Sequence, residues 1–177
     1  MKKNVLILSG SPRKGGNSDM LCDEFGKGAG ESANSVEKIY LKDQKIGFCQ
    51  ACYACKKTGK CVQKDDMEAI LDKIVKANVI VLATPVYFYT MDAQMKVLID
   101  RTLPRYMEIA EKDFYLIATA ADGKKSMERT IESLRGFLDC LPGAREKGVI
   151  YGERTWQIGE IQGNKAMQEA YEAGLHI

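Results

Sequence analysis

Val5-Leu6-Ile7-Leu8-Ser9-Gly10-Ser11-Pro12-Arg13-Lys14-Gly15-Gly16-Asn17-Ser18 is the stretch on which the fold turns. Its first four residues form a short, unbroken apolar run, the pattern of a strand buried on both faces of a parallel sheet. A loop rich in glycine and serine follows, and 16–30 reads as the helix that it opens. A loop between a buried strand and a helix gathers backbone N–H groups at the positive end of the helix dipole, which suits an anion. Two standard phosphate loops are excluded. Ser11 and Arg13 occupy the second and third glycine positions of G-x-G-x-x-G, and Gly16-Asn17 stands where a Walker loop has Lys-Ser/Thr. The loop offers hydroxyls (Ser9, Ser11, Ser18), an amide (Asn17) and a guanidinium (Arg13). That donor set matches the three oxygens of a terminal phosphate monoester.

Outward from this stretch, the same solid apolar pattern recurs at 79–83 and 114–118, while 36–41 and 149–151 are more polar and suit edge strands. Helical spacing separates them. Met67, Ile70, Leu71, Ile74 and Val75 form one stripe, preceded by Asp65 and Glu68 in the arrangement of a capping box. Met91, Met95, Leu98 and Ile99 form a second, and Met127, Ile131, Leu134, Leu138 and Leu141 a third, which Pro142-Gly143 ends. The last helix is expected over 164–175. A β-α unit repeated five times predicts a parallel sheet with right-handed crossovers and helices on both faces. One interruption, at 42–64, is a cysteine-rich insertion, so 1–177 reads as a single domain carrying it. Ligands of such sheets bind outside the carboxyl ends of the strands, where 9–18, 84–91 and 119–126 should meet.

The chain has 177 residues, 45% hydrophobic and 28% charged, with a net charge of +2 and both signs interspersed. Nothing there points to nucleic acid or to an anionic membrane as partner. The apolar run at 5–8 is too short for a signal peptide and no stretch approaches a membrane span, so a cytoplasmic protein is expected. The single histidine, His176, stands at the C-terminus, which argues against a histidine base or a histidine-based metal site.

In the second expected loop, Tyr87, Phe88 and Tyr89 offer a flat ring system a stacking surface, although core or subunit packing would use the same residues. The insertion contains Cys49, Cys52, Cys55 and Cys61, spaced C-x2-C-x2-C-x5-C. Three of these match the spacing of bacterial iron–sulfur ferredoxins. The spacing also admits a tetrahedral Zn²⁺ site, a dithiol–disulfide pair or free thiols. If the four share a ligand, their sulfurs should fall on one face of the insertion. Cys22 and Cys140 lie in helical patterns and read as small buried hydrophobes.

The 9–18 loop resembles the phosphate loop of the NAD(P)H-dependent FMN reductases of the flavodoxin-like superfamily. Thr84-Pro-Val-Tyr-Phe-Tyr-Thr-Met-Asp-Ala-Gln-Met-Lys96, running on to Ile99-Asp100-Arg101, is similar to that family's second flavin loop and helix. The resemblance covers essentially the whole chain. It implies a flavodoxin-like three-layer α/β sandwich whose five-stranded parallel sheet has the order 2-1-3-4-5. It implies FMN bound through its phosphate by Ser9, Ser11, Arg13, Asn17 and Ser18. Pro85, Val86, Tyr87 and Phe88 would line the ring, with Thr119, Ala120, Asp122 and Gly123 at its far edge. The implied activity takes hydride from NAD(P)H and passes electrons through FMN to a small acceptor, a free flavin or a quinone. No catalytic side chain is demanded, because the flavin carries the chemistry. A homodimer or homotetramer is implied by the same likeness. The cysteine segment resembles that of the iron–sulfur flavoproteins, which implies a [4Fe–4S] cluster on Cys49, Cys52, Cys55 and Cys61. The alternative function is then an electron carrier that works with a redox protein such as ferredoxin.

Overall fold

The computed structural model describes residues 2–177. The strands are β1 (Asn4–Ser9), β2 (Ser35–Tyr40), β3 (Val79–Tyr87), β4 (Thr90–Met91), β5 (Asp113–Thr119) and β6 (Arg145–Gly152). The helices are α1 (Asn17–Glu31), α2 (Cys55–Thr58), α3 (Met67–Lys76), α4 (Ala93–Asp100), α5 (Glu128–Leu138) and α6 (Lys165–Leu175). Five strands pair in parallel in the order β2-β1-β3-β5-β6, and the two-residue β4 folds back antiparallel onto β3. The expected five-stranded order is therefore present, with the short β4 added to it.

Strict alternation along each solid run builds three layers. Leu6 and Leu8 face one side of the sheet with α3, α4 and α5, while Val5 and Ile7 face the other with α1 and α6. The central strands β1, β3 and β5 are buried almost throughout, whereas β2 and β6 are more exposed and form the sheet edges. Gly28 and Gly174 let α1 and α6 approach closely, since a Cβ on either would collide with the backbone of the other helix. No helix among the described residues is long and apolar enough to cross a membrane.

Three local expectations change. Strand β3 runs on to Tyr87, so the aromatic segment is the tip of a hairpin, in which Val86 pairs with Met91 and Tyr87 with Thr90. Met91 accordingly belongs to β4, and α4 starts only at Ala93, capped by Asp92. Cys22 is buried, but Cys140 is exposed: α5 ends at Leu138, and in the turn beyond it Leu141 points inward while Cys140 points to solvent.

Candidate functional site

The first loop leaves β1 at Ser9 and enters α1 at Asn17. Gly16 is the N-cap residue and supplies no side-chain cap, so the first N–H groups of this 15-residue helix carry no capping oxygen. The turn is built locally. Gly15 adopts φ +69°, and its N–H donates to Asp19 Oδ2 at 2.8 Å. Asp19 is buried in the first helical turn, and Lys38 from β2 balances it at 2.8 Å while also pairing with Asp23. Burial works against the charge on Lys38, but these two carboxylates and Tyr40 outweigh it and raise its pKa. The helix end is thus left free of uncompensated negative charge. Lys14 reaches back to Asp43 at 2.6 Å. Arg13 is exposed, with its guanidinium 3.4 Å from the Trp156 carbonyl.

Three strand ends bring the expected segments together. An open cleft of about 150 Å³ is lined by Ser11, Arg13, Asn17 and Ser18 of the first loop, by Pro85, Val86 and Tyr87, and by Thr119 and Ala120. Gly10 N–H donates to Ala83 O at 2.8 Å, and Ala120 N–H to Gly152 O at 3.0 Å, so neighbouring strand ends fix the loops to one another. Larger hollows of about 350 and 500 Å³ lie beside the cysteine segment, but no residue of the three loops lines either. The first of them reaches the start of α3, but there Asp65 already accepts from Met67 N–H, and Glu68, Asp72 and Glu108 line the hollow, so the smaller cleft is the better anion site.

Some predicted residues sit elsewhere. Ser9 is wholly buried beside Cys22, and its Oγ has no hydrogen-bond partner. The Asn17 side chain is engaged across the fold: Nδ2 donates to Gln157 O at 2.9 Å, and Oδ1 accepts from Gly159 and Ile161 N–H at 3.2 Å. It leaves its backbone to the cleft and holds 157–161 over the loop. Phe88 is fully exposed at the hairpin tip, outside the lining. Asp122 and Gly123 lie beyond the lining too, with Asp122 Oδ1 accepting from Gly123 N–H at 2.7 Å. Sequence reasoning missed Thr155, Trp156 and Ile158, which line the cleft after β6. Trp156 and Ile158 are both largely exposed. An isolated tryptophan in a polar loop was the one available signal.

The cysteine segment is built differently. Most of 44–54 lacks regular structure, and α2 is a single turn. Arg101, 2% exposed, closes its neck. One guanidinium nitrogen donates to Gly47 O and Asp65 Oδ2, both at 2.6 Å, and the other to Asp65 Oδ1 at 3.0 Å. Asp65, read as half of a capping box, still accepts from Met67 N–H at 3.2 Å, yet its main partner is Arg101. Burial opposes its ionisation, but Arg101 and the Gly47 and Met67 N–H groups outweigh that and hold the carboxyl below its usual range. Cys49, Cys52, Cys55 and Cys61 line one small hollow. Four thiols around one hollow are the soft donor set of an iron–sulfur or zinc site. Among the described residues, however, no group of three or more Cys, His, Asp or Glu stands in metal-holding geometry.

Comparison with known proteins agrees with this arrangement. The sequence model of the NADPH-dependent FMN reductase family matches residues 3–148. An iron–sulfur flavoprotein of Archaeoglobus fulgidus is 42% identical over 102 residues, which is 58% of this chain but only 46% of that protein. An iron–sulfur flavoprotein of Methanocaldococcus jannaschii is 36% identical over 135 residues, 75% of this chain and 70% of that protein. Among solved structures, NAD(P)H:quinone oxidoreductase from Methanothermobacter marburgensis superposes with a TM-score of 0.76, covering 99% of this chain and 97% of that one at 16% identity. With a parallel sheet of flavodoxin-like order, a helix N-terminus open at the strand ends and a family match over most of its length, the chain belongs to the NADPH-dependent FMN reductase family.

Proposed function

We propose that this chain binds FMN in the cleft at the strand ends and works as an NAD(P)H-dependent oxidoreductase with a small acceptor, a free flavin or a quinone. One observation carries the reading: the uncapped N-terminus of α1, the Arg13 guanidinium and the 85–87 backbone converge on one cleft. Ser11, Ser18 and the first-turn N–H groups of α1 suit the phosphate, with Arg13 adding charge. Pro85, Val86 and Tyr87 would support the ring from one side, and Trp156 and Ile158 would limit water from another. When bound, FMN supplies the hydride acceptor and the electron relay, so the protein's task is orientation and electrostatics. We read 1–177 as one cofactor-binding unit of a cytoplasmic protein. The exposed hairpin Tyr87-Phe88-Tyr89 is the surface through which a homodimer or homotetramer would form. The test is anaerobic mixing of FMN-loaded protein with NADH and NADPH. The flavin should bleach within seconds and recover on adding a quinone, and failure with both nucleotides overturns the reading.

A second reading rests on the shared hollow of the four cysteines. There the segment would carry a [4Fe–4S] cluster and exchange electrons with a redox protein such as ferredoxin. Iron and sulfide bound by protein purified without oxygen, and lost in Cys55→Ser, would select it.

A further inference from the structure

Asp92 is a buried carboxyl with no charged partner. It is 1% exposed, its Oδ1 accepts from Met95 N–H at 2.9 Å as the cap of α4, and its own N–H donates to Thr84 Oγ1 at 3.0 Å. Its Oδ2 has no hydrogen-bond partner. The carboxyl lies against Gly10, where a Cβ would stand 2.6 Å from Oδ1 and 2.8 Å from Oδ2. Gly10 is the residue between Ser9 and Ser11, so Asp92 touches the anion loop from below while capping the helix that follows the second loop. The groups facing it are Gly10 from the first loop, the Thr84 hydroxyl from β3 and the Met95 N–H from α4, none of them charged. A cap needs only one neutral oxygen, which Ser, Thr or Asn supplies equally well. The second oxygen and the charge therefore need another explanation.

We propose that Asp92 is a positioning residue that takes up a proton when an anion occupies the 9–18 loop, so that cofactor binding and proton uptake are coupled. The inference rests on reading that loop as the phosphate site. An anion held at Ser11 and the first turn of α1 and a carboxylate packed against the adjacent Gly10 repel each other, and neutralising Asp92 removes the repulsion. Burial already pushes this carboxyl up to about 7, so the proton is exchangeable near neutral pH. The sign follows from linkage. The bound state holds more protons, so affinity for the anion falls as pH rises through 7, by at most about tenfold per pH unit. A phosphate monoester ionises near pH 6 and pushes the other way, which makes a variant lacking the carboxyl the necessary reference.

The test is calorimetric titration of FMN, at pH 7 and in two buffers of different ionisation enthalpy, into wild type, Asp92→Asn and Asp92→Ser. Both variants keep a helix cap. Wild type should take up on the order of half a proton more than either variant, the fraction that a group titrating near 7 has still to gain. Riboflavin should show no such difference. If FMN binds tighter than riboflavin while all three proteins take up the same number of protons, the coupling is refuted and the phosphate reading stands. If FMN and riboflavin bind alike in all three, the phosphate reading falls and the coupling with it.

Discussion

The rim of loops around the candidate cleft and the cysteine segment both follow the carboxyl end of a strand, but they are held in opposite ways. Each rim loop leaves a buried strand, and bonds such as Gly10 N–H to Ala83 O and Ala120 N–H to Gly152 O tie it to its neighbours. Within the cysteine segment the backbone bonds are local, such as Gly59 N–H to Cys55 O at 2.8 Å, Ala51 and Tyr53 hold positive φ, and one longer bond, Asp66 N–H to Lys45 O at 3.0 Å, crosses its neck. One buried side chain, Arg101, gathers both ends of it. A sheet places the first region whatever its loops contain. A buried ion pair and a few neck hydrogen bonds, among them Lys45 N–H to Asp66 Oδ2 at 2.6 Å and Gln63 Nε2 to Phe48 O at 3.0 Å, place the second, and its interior has no sheet beneath it.

Arg101→Met should separate the two regions most sharply. Removing one partner of a buried pair leaves Asp65 without its cation and should cost about 3–5 kcal/mol, read as a lowered denaturant midpoint. FMN affinity should be kept, while proteolysis within 47–65 should speed up. Asp65 ionises below its usual range in the folded protein, so the pair's contribution is present above about pH 4 and is lost as pH falls through the folded value. The gap between variant and wild type should accordingly close in acid. Equal loss of FMN binding and of segment order would mean that the two regions are one unit.

A smaller effect is expected at the hairpin tip. Phe88 and Tyr89 hold φ of +50° and +64°, as a type I′ turn demands but bulky residues resist. Phe88 is fully exposed and buries nothing in the described chain. Phe88→Gly should therefore stabilise the monomer by about 1 kcal/mol, measured by thermal unfolding at low protein concentration. Destabilisation that deepens as the protein is concentrated would instead place this tip in a subunit contact.

The same contrast explains what could be read from the sequence. Runs such as 5–8, 79–83 and 114–118 declare strands buried on both faces, and β-α alternation then fixes where their loops converge. Phe88-Tyr89 carries none of the Asn-Gly or Gly chemistry that announces a two-residue turn, so the hairpin was hidden. Trp156 and Ile158 reach the cleft because Asn17 binds the chain about 140 residues away, a contact without a local signature. Asp65 has a capping residue's position in sequence, and only the fold brings Arg101 to it. The four cysteines were legible as a group and share a hollow, but their spacing does not say how closely the sulfurs gather.

Competition between FMN and riboflavin decides whether the 9–18 loop is a phosphate site. Fluorescence titration of both flavins at one pH, into wild type and Arg13→Ala, compares ligands that differ only in the phosphate. A charge-assisted contact contributes about 1.5–3 kcal/mol, so wild type should prefer FMN and Arg13→Ala should lose more than tenfold of FMN affinity with little change for riboflavin. Equal affinities of wild type for the two flavins would mean that the loop holds no phosphate.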